Sequence, residues 1–349
     1  MMSYMNNFKY SFFFFLVFLP LQLSLSGCST MFNNQVDKIN FEKEVTKPTA
    51  KKYHLKINNI ERDYFLLRSH YGKNNGKANY PSKRLILVLS GSGCADEQPL
   101  LGLLYKDLPV NSDIAVLQKR GVIKNAYPSR NTRCSKLYYE HNNHANRTRD
   151  NLFLLHYLKK KSTYKKITVL GVSEGVQIIY LMMNKDTTLN EVIFLANHAA
   201  NSIKGAYEEQ AIFRDKTEPN TLKRFKKLLK AVIQKENKHN FVYGGYVNNW
   251  RITLNSDKKN MSEFLSKKKN IRYLFVMGDN DNLLPSEKLK ETKHIFCQNK
   301  HRNNLMLYKK NSGHIVLKPP RSPIHEIIAN WLDKKPYQER AEFTRLICE

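Results

Sequence analysis

Residues 166–176 constrain the fold more than any other stretch of this chain. Residues 167–171 are β-branched or apolar up to a closing glycine, a pattern that predicts a short buried strand. Residues 176–183 are apolar nearly all round, which predicts a helix buried on more than one side. Between them stands Gly-x-Ser-x-Gly, so the pattern predicts a serine on a sharp turn from a strand into a helix.

Ser173 of this motif is a candidate nucleophile. So sharp a turn strains the serine backbone, and neighbouring backbone passes close, so the residues two before and two after must be small. Gly171 and Gly175 satisfy that requirement. The turn also places Ser173 at the first turn of the helix, where amide N–H groups and the helix dipole favour negative charge. The alternative is an ordinary strand-to-helix turn; we favour the catalytic serine.

The rest of the chain alternates strand and helix patterns. Apolar runs predict eight strands, at residues 53–57, 63–69, 84–89, 113–117, 167–171, 192–196, 271–277 and 304–308. Such alternation predicts an α/β fold with a mainly parallel sheet. Sites in sheets of this kind lie at the carboxyl ends of the strands.

An insertion separates the sixth and seventh predicted strands, at about residues 201–270. It contains a basic amphipathic helix pattern over residues 222–238 and an aromatic loop over residues 243–250. A long ordered insertion in a compact domain is usually functional. Tyr243 and Trp250 either line a pocket for the substrate or fill the core, and we favour the core.

Candidate partners for the serine follow the last two predicted strands. Nucleophilic hydrolysis needs a base to take the serine proton, an acid to orient that base and donors for the oxyanion. Asp279 and Asp281 follow the seventh strand, and His314 follows the eighth strand beside a glycine. We favour Asp281 over Asp279 as the acid. The alternatives are a solvated turn for the aspartates and a structural role for the histidine.

Ser173, Asp281 and His314, in that chain order, resemble the catalytic triad of the α/β-hydrolases. The resemblance covers most of residues 53–334. It implies the α/β-hydrolase fold, an eight-stranded, mainly parallel sheet flanked by helices, with the insertion as a helical cap. By position in this family, the backbone N–H groups of Ser92 and Glu174 would bind the oxyanion.

Two positions depart from the common pattern of that family. Many members carry His-Gly where this chain has Ser90 and Gly91, and a second glycine where it has Val176. The first departure lies in the loop after the third strand, which would supply one of the two oxyanion donors. The second removes no catalytic group. The resemblance implies no metal and no organic cofactor.

Four cysteines fall within the predicted domain: Cys94, Cys134, Cys297 and Cys348. Their spacing matches neither a zinc site nor a redox pair, and four cysteines allow three pairings, besides four free thiols. An even number in an oxidising compartment favours disulfides. The family resemblance places the loops after strands three and four side by side, which favours Cys94–Cys134 and leaves Cys297–Cys348.

Residues 1–27 are predicted to be a secretory signal outside the fold. Their apolar run, residues 12–25, is shorter than a membrane span and follows Lys9. The end of this segment resembles the lipobox of bacterial lipoproteins, with Leu-Ser-Gly before Cys28. The resemblance implies that Cys28 becomes a lipidated N-terminus. The alternative is an uncleaved anchor helix.

The next residue, Ser29, implies by the same resemblance that the protein reaches the outer membrane, on its periplasmic side. Residues 28–52 are polar without strong periodicity and are predicted to be a tether. The hydrolase domain is predicted over residues 53–349, a length sufficient for one large core.

The formal charge of +28 would ordinarily suggest a nucleic-acid partner. Lysines are spread along the whole chain, however, and no nucleic-acid motif accompanies them. We therefore expect solvated basic faces and no nucleic acid. The alternative use of this charge is attraction to anionic lipid headgroups or acidic envelope polymers.

Taken together, the resemblances imply a monomeric serine hydrolase on the cell envelope, anchored to the membrane through Cys28. The expected reaction is cleavage of a carboxylic ester in an acyl-ester small molecule or lipid, through an acyl-enzyme intermediate. Two alternatives stay open at this point. One is a serine peptidase or amidase of the same fold, and the other is a non-catalytic envelope-binding lipoprotein on a hydrolase scaffold.

Overall fold

The centre of the molecule is a sheet whose middle strands are buried on both faces. A computed structural model of the chain describes residues 50–68, 84–106, 108, 112–124, 134–161, 164–186, 188–189, 191–197, 202–256, 271–281, 292–294, 297, 304–314, 316–317 and 322–347. Within these residues, nine strands form one sheet and two short strands form a hairpin.

The strands in chain order are β1 (Lys51–Ile57), β2 (Ile60–Arg68), β3 (Arg84–Leu89), β4 (Asp113–Leu117), β5 (Lys166–Val172), β6 (Glu191–Leu195), β7 (Phe241–Val242), β8 (Gly245–Tyr246), β9 (Arg272–Gly278), β10 (Leu305–Lys309) and β11 (Phe343–Arg345). The helices are α1 (Glu97–Tyr105), α2 (Lys136–His141), α3 (His144–Lys161), α4 (Glu174–Lys185), α5 (Ile203–Asp215), α6 (Thr221–Ile233), α7 (Val247–Leu254) and α8 (Pro323–Leu332).

The sheet is parallel at its centre and antiparallel at its edges. Its strand order is β1-β2-β4-β3-β5-β6-β9-β10-β11. The six strands from β4 to β10 run parallel, and β1, β2 and β11 pair antiparallel. The predicted mainly parallel sheet is confirmed. Its predicted count of eight is wrong by one strand, because β11 has three residues, too few for a recognisable alternation.

Apolar layers cover both faces of the sheet. On one face, leucines of α3 and the apolar face of α4 pack on β3, β5 and β6. On the other face, α1 and α8 pack on the opposite side chains of the same strands. Strand β3 is therefore buried at all six positions, as its continuous apolar run predicts. Each fully buried leucine or isoleucine contributes about 1.5–3 kcal/mol to these layers.

Helices α5, α6 and α7 form the predicted cap, and the β7–β8 hairpin joins two of them. The basic amphipathic helix ends at Ile233, earlier than predicted. Phe225 and Leu228 of α6 form a small apolar cluster, against which Tyr243 and Trp250 pack. The indole N–H of Trp250 also donates to the Val242 carbonyl at 3.1 Å. These two aromatic side chains thus fill the core of the cap.

Some predictions fall outside the described residues. They are the signal segment, Cys28 and most of the tether, the part of the insertion at residues 257–270, and Cys348. In the part of the chain that the structure does describe, no helix combines the length and apolar character of a membrane span.

Candidate active site

Ser173 occupies the turn between β5 and α4 in a left-handed backbone conformation, with φ 52° and ψ −121°. Few residues other than glycine adopt such a φ, and such outliers cluster at functional sites. The turn needs its two glycines. A Cβ on Gly171 would lie 2.8 Å from the Val176 nitrogen, and one on Gly175 would lie 2.0 Å from the Leu89 carbonyl oxygen.

His314 lies between Ser173 and Asp281. Its Nε2 is 2.8 Å from Ser173 Oγ, and its Nδ1 is 2.8 Å from Asp281 Oδ2. An ionised carboxylate only accepts hydrogen bonds, so Nδ1–H donates to Asp281 and Nε2 accepts from the serine hydroxyl. The side chains of His314 and Asp281 are 9% and 4% exposed, respectively, so little water competes for these bonds. The structure thus joins the three residues in the geometry that nucleophilic hydrolysis requires.

Asp279, the alternative acid, lies elsewhere in the same loop. Its Oδ1 accepts from the backbone N–H of Ser312 at 3.1 Å, and its own N–H donates to the Lys309 carbonyl at 3.1 Å. It therefore joins the loop after β9 to the loop after β10, which carries His314. The geometry places Asp281, not Asp279, at the imidazole.

Gly278 permits the close approach of these two loops. A Cβ at Gly278 would lie 2.1 Å from the Ser312 carbonyl oxygen and 2.3 Å from that of Gly313. Neither distance is possible for a real Cβ, and both contacts are with backbone. Only glycine fits here without moving the loop of His314. Gly278 directly follows the seventh predicted strand, in the Gly-x-x-Asp pattern that leads to Asp281, and only the tertiary structure reveals the close contact that requires it.

The loop after β3, predicted to supply an oxyanion donor, passes directly beside the nucleophile turn. A Cβ on Gly91 would lie 3.2 Å from Ser173 Cβ and 3.8 Å from Ser173 Oγ. Glu174 is the first residue of α4, where a backbone N–H has no partner within the helix. The oxyanion role of the Ser92 and Glu174 N–H groups stays a prediction.

A buried arginine connects the two predicted oxyanion segments. Arg147 of α3 donates to the Ser90 carbonyl at 2.5 Å and to Glu174 Oε2 at 2.5 Å. The hydroxyl of Tyr207, from the cap helix α5, donates to Glu174 Oε1 at 2.7 Å. Sequence reasoning missed this network because the three elements that supply it are far apart in the chain.

Arg147 does not pair with Asp150, although the two residues stand three positions apart on α3, a spacing at which opposite charges on one helix can pair. Asp150 binds Arg62 of β2 and also accepts from Arg149 at 2.8 Å. Both Arg147 and Asp150 are buried, so each pairs with a charge on the element packed against it. A surface pair within one helix is the weaker arrangement.

The environment of Glu174 stabilises its charged form. Burial alone would raise the pKa of this carboxyl, but Arg147, His144, the Tyr207 hydroxyl and Lys119 lower it from 4.5 to about 2. Glu174 is therefore ionised at neutral pH. Its charge is compensated by Arg147, so the pair adds little net field at the serine while it holds two loops together.

The predicted Cys94–Cys134 disulfide is present, with its Cα atoms 5.6 Å apart. It joins the loop after β3 to the segment that leads into α2. Cys297 is also disulfide-bonded. Its predicted partner, Cys348, lies outside the described residues, so that pairing stays a prediction.

Among the residues that the structure describes, no group of three His, Cys, Asp or Glu side chains converges as metal ligands would. The His314, Asp281 and Ser173 side chains are committed to one another by hydrogen bonds. The chemistry that this arrangement can perform is proton transfer from a serine hydroxyl to an imidazole held by a carboxylate.

The parallel sheet and the serine, histidine and aspartate at its carboxyl edge define the class of the protein: an enzyme of the α/β-hydrolase superfamily. Residues 154–337, more than half of the chain, match the family described as BAAT / Acyl-CoA thioester hydrolase C terminal. The chain belongs to this family. A search of curated protein sequences found no significant match.

Solved structures share the fold. Est1E from Butyrivibrio proteoclasticus with bound ferulic acid aligns with a TM-score of 0.53 at 14% identity, over 81% of this chain and 98% of Est1E. DcsB in complex with its substrate analogue aligns with a TM-score of 0.51 at 13% identity, over 82% of this chain and 99% of DcsB. Identities this low support the fold alone, and the α/β-hydrolase prediction is confirmed at that level.

Proposed function

We propose that this protein is a serine hydrolase that cleaves acyl esters through an acyl-enzyme intermediate. Ser173 is the nucleophile, His314 the general base and then the general acid, and Asp281 the residue that orients the imidazole. The observation that supports this proposal best is the unbroken chain of 2.8 Å contacts from Ser173 Oγ through His314 to Asp281.

The first half of the reaction follows from this geometry. As Ser173 Oγ attacks the acyl carbonyl carbon, its proton passes to His314 Nε2, and Asp281 stabilises the imidazolium that forms. The carbonyl oxygen gains negative charge beside the first turn of α4, where the Glu174 N–H and the helix dipole favour it. The loop after β3 brings the Ser92 N–H to the same edge of the sheet.

The second half returns the enzyme to its starting state. His314 donates the proton to the leaving oxygen, the carbon–oxygen bond to the alcohol breaks and the acyl group stays on Ser173. A water then gives a proton to His314 Nε2 and attacks the acyl carbonyl. Collapse of this second intermediate releases the acid and restores the serine hydroxyl. The reaction needs no electron donor or acceptor.

A thioester is the second candidate for the scissile bond, favoured by the family match. The family description names acyl-CoA thioester hydrolysis, and the matched residues 154–337 include all three proposed catalytic residues. Ester, thioester and aminoacyl-amide substrates with the same butyryl group would rank the candidates by kcat/KM. Highest activity on the amide would favour the peptidase or amidase alternative.

A fluorophosphonate probe tests the proposed nucleophile. The wild-type protein should be labelled, and Ser173→Ala should not, because the probe reacts only with a serine activated by its base. Ser256→Ala, a change in the cap away from the triad, should label like the wild type. Label that survives Ser173→Ala would place the nucleophile elsewhere. Absence of label from the folded wild-type protein would favour the non-catalytic alternative.

We further propose that the enzyme acts at the cell envelope, held by lipid on Cys28 after removal of residues 1–27. Support comes from the resemblance of residues 25–28 to a lipobox and from the polar tether that follows. The lipid would keep the site near acyl substrates in the membrane. Metabolic labelling with a radioactive fatty acid should mark the wild type and leave Cys28→Ala unlabelled. Labelled Cys28→Ala would refute this anchor.

A further inference from the structure

A basic cleft lies at the same sheet edge as Ser173, beyond the loop after β3. It lies between the ends of β3 and β4, the end of α2 and the start of α3. Five cationic side chains line it, against one carboxylate, Asp150. The five are Arg62, Lys119, Arg120, Arg147 and Arg149.

Three of these cations are committed to the protein. Arg62 binds Asp150, Arg147 binds Glu174 at 2.5 Å, and Lys119 lies 3.3 Å from Glu97. Each of these side chains is less than 10% exposed, and the side chains of the acidic partners are at most 15% exposed. Their charges are compensated by these partners, so they have little capacity for a ligand.

Arg120 and Arg149 retain N–H donors that a ligand could use. Arg120 is half-buried and makes no hydrogen bond or ion pair within the described part of the chain. Arg149 is 49% exposed and uses only Nε and Nη2 on Asp150, a carboxylate already bound by Arg62. The cleft thus has more cationic donors than acidic acceptors.

His141 also lines the cleft and interacts electrostatically with Arg120 and Arg62. Burial first, and then the charges of Arg120 and Arg62, hold the pKa of this imidazole below its usual value. The wall therefore presents more cationic than anionic side chains, which suits a ligand that carries an anion.

We infer that this cleft binds the phosphate group of the substrate while its acyl carbonyl lies at Ser173. The inference rests on the proposed function and adds a substrate class to it, namely phosphate-bearing acyl esters. Strand β4, which leads into Arg120, lies two strands from β5 in the sheet. At the usual strand spacing this separation is about 10 Å. A short polyol linker between ester and phosphate spans that distance.

Guanidinium groups suit this ligand because they are planar, permanently charged and able to bind phosphate oxygens through two N–H groups at once. The side chains of Asn146 and Asn151 also line the cleft. A carboxylate would present a smaller charge and fewer acceptor oxygens than a phosphate monoester. The structure therefore favours phosphate over a carboxylate as the anion.

The test compares two substrates with the same scissile bond, 1-butyrylglycerol and 1-butyrylglycerol 3-phosphate. The wild type should show the lower KM for the phosphorylated ester. Arg120→Gln/Arg149→Gln should raise that KM by at least about tenfold, the effect expected from the loss of even one of the two charged contacts. It should leave kcat/KM for the neutral ester unchanged. Lys223→Gln/Lys226→Gln, which removes two exposed charges from α6, is the control and should match the wild type.

A binding measurement separates failure of this inference from failure of the proposed function. The Ser173→Ala protein should bind glycerol 3-phosphate calorimetrically, and the added double arginine change should abolish binding. Absence of binding to Ser173→Ala, or equal binding by all variants, would overturn the cleft assignment even if esters are cleaved. Stronger binding of glycerate than of glycerol 3-phosphate would show that the cleft prefers a carboxylate to a phosphate. This result would also overturn the inference.

Discussion

The guanidinium of Arg147 lies 2.5 Å from the carboxylate of Glu174, the residue that directly follows the proposed nucleophile. The same guanidinium holds the carbonyl of Ser90 in the loop after β3. One side chain of α3 thus sets the spacing between the two backbone segments predicted to bind the oxyanion. This pair couples the stability of the domain to the geometry of its site.

Arg147→Met should lower the free energy of unfolding by about 3–5 kcal/mol, because it leaves the mostly buried carboxylate of Glu174 without its cationic partner. Lys136→Met breaks an exposed pair with Glu140, 3.8 Å away, and should cost less than about 1 kcal/mol. Urea denaturation measures both. Adding Glu174→Leu to Arg147→Met should recover part of the loss. Equal effects of the two single changes would contradict a structural role for the buried pair.

Protonation of the Glu174 carboxylate should lower the free energy of unfolding in the acid pH range. Its pKa is about 2 in the folded protein against 4.5 normally, so its contribution is complete above pH 4.5 and disappears as pH falls toward 2. The shift corresponds to about 3 kcal/mol at most. The difference in unfolding free energy between wild type and Glu174→Gln should shrink across that window. A difference independent of pH would refute this assignment.

Asp281→Asn should reduce kcat by about 10⁴, because an amide at this position holds the wrong tautomer of His314. Asp279→Asn should cost less than about tenfold, since its side-chain oxygen can still accept from the Ser312 N–H. Steady-state kinetics on a soluble butyryl ester measures both values. If Asp279→Asn proved the more damaging change, the assignment of the acid would be reversed.

Gly278→Ala should displace the loop that carries His314, since the new Cβ would meet two backbone carbonyls below 2.4 Å. We expect a loss of stability of about 1–3 kcal/mol and a fall in kcat of about 100-fold. Gly313→Ala is the matched control, because its Cβ would find its nearest neighbour at 3.7 Å. Similar kinetics for the two variants would argue against a need for close loop approach.

The Cys94–Cys134 disulfide closes a loop across 40 positions of the chain. In the chain-entropy model, a loop of this size contributes about 4 kcal/mol. Cys94→Ser/Cys134→Ser should therefore unfold at lower urea concentration. It should also turn over more slowly, because Gly91 of the same loop lies beside the nucleophile turn of Ser173. An unchanged kcat in the folded double variant would show that packing alone holds the loop.

Much of the fold followed from local patterns in the sequence. Continuous apolar runs predicted the parallel strands because a strand covered on both faces must be apolar at every position, as in β3. Ser173, Asp281 and His314 each follow one of these strands. Their convergence was predicted because the carboxyl ends of parallel strands lie at one edge of the sheet. The three-residue strand β11 was not predicted, because so short a segment shows no recognisable alternation of apolar and polar residues.

The sequence by itself determined which residues reach the site edge, because burial and strand direction depend on short-range patterns. Only the tertiary structure decided which partner each buried charge takes. Arg147 binds Glu174, 27 positions away, and not Asp150 on its own helix. The choice between Asp279 and Asp281, the need for Gly278 and the surplus of arginines in the cleft were decided in the same way. The physical reason is that buried polar groups pair with whatever packing brings within about 3 Å, and spacing along the chain does not encode that proximity.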